Sequence, residues 1–131
     1  MKKKSVVLIV DDEPDLHHIL KIALSKASDA QFEFENAMNG KEAIKKYGEL
    51  VEKGEKPDLV LMDIKMPIMD GIKSTKAILK KHPDANIYAL TAYAGTPLAA
   101  KAIEAGVKGV IDKSNSFLDL LNEIKKVLKK K

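Results

Sequence analysis

The chain has 131 residues, 45% hydrophobic and 32% charged, with no cysteine. This is the size and balance of one globular domain over residues 1–131, and it excludes disulfides, thiolate metal sites and thiol nucleophiles. The formal net charge of +4 belongs to the ends: without Lys2, Lys3, Lys4, Lys125, Lys126, Lys129, Lys130 and Lys131, 15 lysines face 19 acidic residues.

No basic residue is arginine. The planar forks that read guanine edges are therefore missing, and no sequence-specific nucleic-acid partner is expected. No apolar run approaches the roughly 20 residues of a membrane span. Asp11, Asp12 and Glu13 end the first apolar run too early for an export signal. The expectation is a cytoplasmic protein without a membrane partner.

Residues 6–10 form a nearly continuous apolar run, too short for a helix and suited to a strand covered on both faces. Asp12 and Pro14 mark a helix start, and Leu16, Ile19, Leu20, Ala23, Leu24 and Ala27 follow at helical spacing. His17 and His18 fall off that stripe and read as solvated. Residues 31–37 alternate, Phe32 and Phe34 against Glu33 and Glu35, as in an edge strand with one wet side.

Asn39-Gly40 turns the chain into a helix carrying Ala43, Ile44, Tyr47, Leu50 and Val51. Residues 59–62 are the third strand, followed by a helix with Ile72, Thr75, Ile78 and Leu79 that ends at His82-Pro83. Residues 87–90 are the fourth strand, and Leu98, Ala99, Ala102 and Ile103 mark a helix stopped by Gly106. Residues 107–111, interrupted by Lys108 and Gly109, make the fifth strand. A Ser116/Asp119 capping box opens the last helix, with Phe117, Leu120, Leu121, Ile124, Val127 and Leu128 on its apolar face.

Strict alternation of buried strands and helices predicts a doubly wound parallel α/β sheet. Such sheets bind ligands beyond the carboxyl ends of their strands. Asp11, Asp12 and Glu13 follow the first strand, Asp63 the third, Thr91 the fourth, and Asp112 and Lys113 the fifth. Each alone has an ordinary explanation as a helix cap or a solvated charge. Together on one edge they make a cup of carboxylates with a hydroxyl and an ammonium.

Carboxylates at about 4 Å repel by roughly 4 kcal/mol per pair at an effective dielectric near 20. An oxygen-only cluster calls for a hard cation, and Mg²⁺ fits best. Mg²⁺ commonly shares its shell with a phosphate, and Lys113 and Thr91 suit phosphoryl oxygens. No glycine-rich cradle precedes a helix, so a nucleotide is not indicated. A phosphoryl group carried on an Asp carboxylate of the protein itself is the remaining option.

Residues 10–14 (Val-Asp-Asp-Glu-Pro), residues 61–71 (Leu-Met-Asp-Ile-Lys-Met-Pro-Ile-Met-Asp-Gly), residues 90–92 (Leu-Thr-Ala) and Lys113 resemble the CheY-like receiver domain of response regulators. The resemblance runs from Ser5 to about Leu128. It implies a flavodoxin-like sheet of five strands in the order 2-1-3-4-5 with five helices, an order taken from the family. It also implies Asp63 as phosphoacceptor, with Asp11, Asp12, Asp63 and the Lys65 backbone carbonyl holding Mg²⁺. Thr91, Ala92 and Lys113 would line the phosphoryl group. The implied partners are a sensor histidine kinase or phosphotransfer protein and an output protein whose identity the sequence does not give.

Two positions depart from the family pattern. Val110 stands where Tyr or Phe is usual, so the switch pairing Thr91 with position 110 has no aromatic ring to relay it. Ser114 stands where Pro is usual after the lysine. These departures support an alternative, a receiver-shaped interaction module working without phosphorylation, against which the intact acidic set argues. An Asp-nucleophile phosphatase would need a second Asp two residues after the first, where this chain has Lys65. Met62, Met66 and Met69 read as packing residues. The expectation is a stand-alone phosphoacceptor signalling protein, not an enzyme, catalysing only its own phosphorylation and dephosphorylation.

Overall fold

The central strands are apolar at nearly every position, so both faces of the sheet must be covered, and the computed structural model, which describes residues 5–26 and 32–129, shows how. In chain order the elements are β1 (Ser5–Val10), α1 (Pro14–Lys26), β2 (Phe32–Ala37), α2 (Gly40–Glu52), β3 (Leu59–Met62), α3 (Gly71–Lys81), β4 (Ile87–Thr91), α4 (Pro97–Ala105), β5 (Val110–Asp112) and α5 (Phe117–Lys129). The strands pair in parallel in the order β2-β1-β3-β4-β5, as the family resemblance implies.

Leu8 and Val10 of β1, Val60 and Met62 of β3, and Ile87 and Ala89 of β4 pack with Ala43, Tyr47, Ile78 and Ala102 from α2, α3 and α4. The alternate residues Val7, Ile9, Leu59, Leu61 and Leu90 pack with Leu20, Leu24, Leu120 and Ile124 from α1 and α5. Each fully buried Leu or Ile contributes about 1.5–3 kcal/mol, so these two layers hold the sheet from both sides. Val110 joins the α2–α4 layer as a partly buried residue.

Local signals set the helix starts. Asn39 Oδ1 accepts from Glu42 N–H at 2.9 Å, and Asp70 Oδ1 accepts from Lys73 N–H at 2.9 Å. Ser116 Oγ accepts from Asp119 N–H at 3.2 Å, the serine half of the expected box. Two helices begin on glycine because nothing larger fits. A Cβ on Gly71 would lie 1.9 Å from the Asp63 carbonyl oxygen, and one on Gly40 2.6 Å from that of Met69. The segment after β3 is thus clamped between the starts of α2 and α3.

The described residues correct several sequence expectations. His17 is buried, 5% exposed, while Ile19 is 48% exposed. The buried face of α1 runs through His17, Leu20 and Leu24, so it keeps the centre of the apolar stripe read from the sequence, with Leu16 and Ala23 partly buried beside it, but takes in His17 and leaves Ile19 out. His17 goes inward because two polar partners, described below, satisfy its ring. Ile103 and Phe117, expected inside, are 55% and 42% exposed. Each lies at the margin of a face whose centre is already filled, by Ala99 and Ala102 in α4 and by Leu120, Leu121 and Ile124 in α5. Strand β5 begins at Val110, not at residue 107. Ala27 and Gln31 lie outside the described residues.

Candidate functional site

Strand β1 pairs with β2 on one side and β3 on the other, so the connections diverge there and leave a crevice at the carboxyl edge. Asp11 and Asp63 are the first residues past β1 and β3. Asp11 N–H donates to the Ala37 carbonyl at 3.0 Å, and Asp63 N–H to the Val10 carbonyl at 2.9 Å. These backbone bonds fix both carboxylates in the crevice, where Asp11 is 1% and Asp63 6% exposed. Asp12, the next residue, is exposed. One carboxylate oxygen from each of Asp11, Asp12 and Asp63 lies within 4.8 Å of the other two.

Lys113 reaches into this group from beyond β5, its backbone N–H held by the Thr91 carbonyl at 2.9 Å. Its Nζ stands 2.5 Å from Asp11 Oδ2 and 3.2 Å from both Asp63 Oδ2 and Glu13 Oε1. The Asp11 contact is ionic in distance without hydrogen-bond alignment, which leaves Oδ2 a buried acceptor lacking an aligned donor. Asp63 Oδ1 accepts from Ile64 N–H at 2.8 Å. Asp11 Oδ1 accepts from Glu13 N–H at 3.0 Å.

The electrostatics follow from these distances. Burial pushes the Asp63 carboxyl above its ordinary range; Lys113 opposes this, and the Asp11 charge adds to it. For Lys113, burial alone would lower the ammonium, but the close Asp11 carboxylate, then the charge and hydrogen bond of Asp63, carry it upward. The two shifts favour opposite charge states because burial prevails at Asp63, whereas at Lys113 the facing carboxylates together outweigh it. Lys113 remains a cation, and Asp63 is the under-compensated anion.

Around this core, Thr91 is fully buried, and its Oγ1 accepts from Tyr93 N–H at 3.1 Å. Ala92 is exposed beside it. The Lys65 ammonium lies 4.8 Å from the centroid of the Tyr93 ring, a cation–π contact. Lys65 also lines an open depression of about 440 Å³ with Asp12, Met66, Pro67 and Asp70. The structure therefore brings together Asp11, Asp12, Asp63 and Lys113, with Thr91 at the end of β4, Ala92 just past it and Lys65 at the rim. Val110 lies in the α2–α4 core layer.

Two participants were missed from sequence, His17 and Asn36. His17 Nε2 donates to the Asp11 carbonyl at 2.7 Å, and its Nδ1 lies 3.0 Å from Asn36 Oδ1. The ring props the backbone of Asp11 from beneath. Its spacing to Leu20 and Leu24 was the available signal. Glu13, placed at this edge by the sequence, is a further carboxylate facing Lys113.

The donor set is all oxygen, includes a buried acceptor without an aligned donor, and holds more negative charge than Lys113 balances. That fits a small hard cation. Among the described residues no helix is long and apolar enough to cross a membrane.

Comparison with known proteins places the chain among its relatives. The chain is 40% identical over 124 residues to chemotaxis protein CheY of Thermotoga maritima, covering 92% of this chain and 97% of that one. It is 32% identical to response regulator GacA of Pseudomonas viridiflava over 92% of this chain, but spans only 54% of GacA. The structure of response regulator TrrA of T. maritima in complex with Mg²⁺–BeF superposes with a TM-score of 0.74 at 34% identity, covering 94% of this chain and 98% of that one. Residues 7–125 match the response regulator receiver domain, and the chain belongs to that family of two-component signalling proteins.

Proposed function

We propose that Asp63 accepts a phosphoryl group from a sensor histidine kinase or a phosphotransfer protein, and that the altered surface is then read by a protein partner. The observation that carries this reading is the convergence of Asp11, Asp12 and Asp63 with Lys113 at the switch point of the sheet. An Asp63 oxygen attacks phosphorus as the phosphorus–nitrogen bond of the donor histidine breaks, and the departing imidazole takes up a proton. Lys113 and the Thr91 hydroxyl would hold the phosphoryl oxygens, and exposed Ala92 leaves room for the donor. Hydrolysis of the acyl phosphate resets the protein, which acts on no other substrate.

Asp11, Asp12, Asp63 and the Lys65 carbonyl would hold Mg²⁺. When bound, the ion supplies positive charge against the phosphoryl oxygens. The Mg²⁺–BeF group held by TrrA, a relative at 34% identity, supports this assignment. Thr91 and Val110 would form the switch. Without an aromatic ring at position 110, the inward movement of Thr91 is expected to pass to the 91–97 segment and to the surface of α4, β5 and α5.

Acetyl phosphate with Mg²⁺ should add one phosphoryl mass to the protein and none to Asp63→Asn, as read by intact mass spectrometry. Label retained by the Asn variant, or heat-stable label on His17 or His18, would overturn the assignment.

A further inference from the structure

The ammonium of Lys113 has three protons and faces three carboxylates, Asp11 at 2.5 Å and Glu13 and Asp63 at 3.2 Å. Asp11 and Asp63 belong to the set of oxygens that converge for a cation; Glu13 does not. Its side chain is 66% exposed, against 1% for Asp11 and 9% for Asp63. Its backbone is nevertheless pinned. Glu13 N–H donates to Asp11 Oδ1 at 3.0 Å, and the Glu13 carbonyl accepts from Leu16 N–H at 3.2 Å at the entry of α1. The carboxylate therefore swings from a fixed point over the mouth of the site, and Lys113 is the cation it reaches among the described residues.

We propose that Glu13 is a positioning residue that competes for Lys113 in the resting state and must release it when a phosphoryl group occupies Asp63. This rests on the phosphoacceptor reading above. A phosphoryl group brings further oxygens and up to about two negative charges, and they need the Lys113 protons that Glu13 holds. Glu13 gains nothing in exchange, since it lies outside the cation-binding set. Its carboxylate thus lowers the population of the occupied state. The pair is solvent-accessible on the Glu13 side, so its effect is modest.

The test is titration of magnesium-loaded protein with beryllofluoride, a phosphoryl mimic, followed by backbone amide NMR shifts. Glu13→Gln should bind about two- to five-fold more tightly than wild type, the range an exposed ion pair supplies. Glu13→Asp keeps the charge on a shorter arm and should side with Gln. Asp15→Asn removes an equal charge two residues on, in the first turn of α1, without touching Lys113, and should leave affinity near wild type. In a Lys113→Gln background, Glu13→Gln should have no effect. Unchanged or weaker binding by Glu13→Gln overturns the proposal. So does an equal gain in Asp15→Asn or in the Lys113→Gln background, because either would be a general field effect. Failure of wild type to bind the mimic, or equal binding by Asp63→Asn, overturns the phosphoacceptor reading itself and is distinguishable from every result above.

Discussion

Asp63 is both the residue most needed for the proposed chemistry and one of the least comfortable in the fold. Its carboxyl is shifted upward chiefly by burial, with the Asp11 charge adding to the strain, so the folded protein holds a proton there more readily than the unfolded chain does. Stability therefore falls as pH rises past the ordinary value of 3.8, because the native state binds more protons in that window. Asp63→Asn, which cannot ionise, should melt higher than wild type at neutral pH in EDTA, by about 3–6 °C for each kcal/mol relieved. That advantage should shrink as pH is lowered toward 4. Thermal melts at both pH values check it, and a variant melting lower at neutral pH would make Asp63 a structural cap. The acidic set was legible in the sequence because parallel strands place every post-strand residue on one edge, whatever its separation along the chain. His17 was not. A histidine between leucines reads as polar and outward, and only the carbonyl of Asp11 and the side chain of Asn36, neither local to the helix, make its inward turn tolerable.

At the scale of elements, the segment joining β3 to α3 bears the most constraint. It is held by Gly71 N–H donating to the Ile64 carbonyl at 2.8 Å and Gly40 N–H donating to the Met69 carbonyl at 2.9 Å. Between these anchors Ile68 adopts a φ of 69°, a left-handed conformation that β-branched residues avoid, and its side chain is 78% exposed. Such a residue costs about 1–3 kcal/mol relative to one suited to that conformation. Ile68→Asn should therefore raise the melting temperature by about 3–6 °C, since Asn tolerates this region and no packing is lost. A lower midpoint would mean that the exposed side chain stabilises the loop. Strand identities and helix order were readable from periodicity. The margins of α1, α4 and α5 were not, because a helix with more apolar residues than its sheet face accommodates leaves some of them in water. Ile19, Ile103 and Phe117 are those residues.

For the whole molecule, the two core layers supply the stability against which the acidic cluster is assembled. A cation that binds only the assembled cluster should stabilise the entire domain by mass action, by about 2.7 kcal/mol at 100 times its dissociation constant. Added Mg²⁺ should raise the wild-type melting temperature, chelation should reverse the gain, and Asp12→Ala should lose most of it. An Asp12→Ala response equal to wild type would show that the ion binds elsewhere. The parallel sheet has another consequence, which concerns the order of assembly. Asp11 and Asp63 are brought together when β1 pairs with β3, whereas the ammonium arrives from a residue 50 positions beyond Asp63 and 100 beyond Glu13. Strand β5 is three residues long and pairs with β4 at the sheet edge, so chain-closure entropy weighs against its early docking. Until it docks, Asp11 and Asp63 face each other without the Lys113 ammonium that pairs with them in the finished sheet. Completion of the edge strand and completion of the pocket are thus one and the same step.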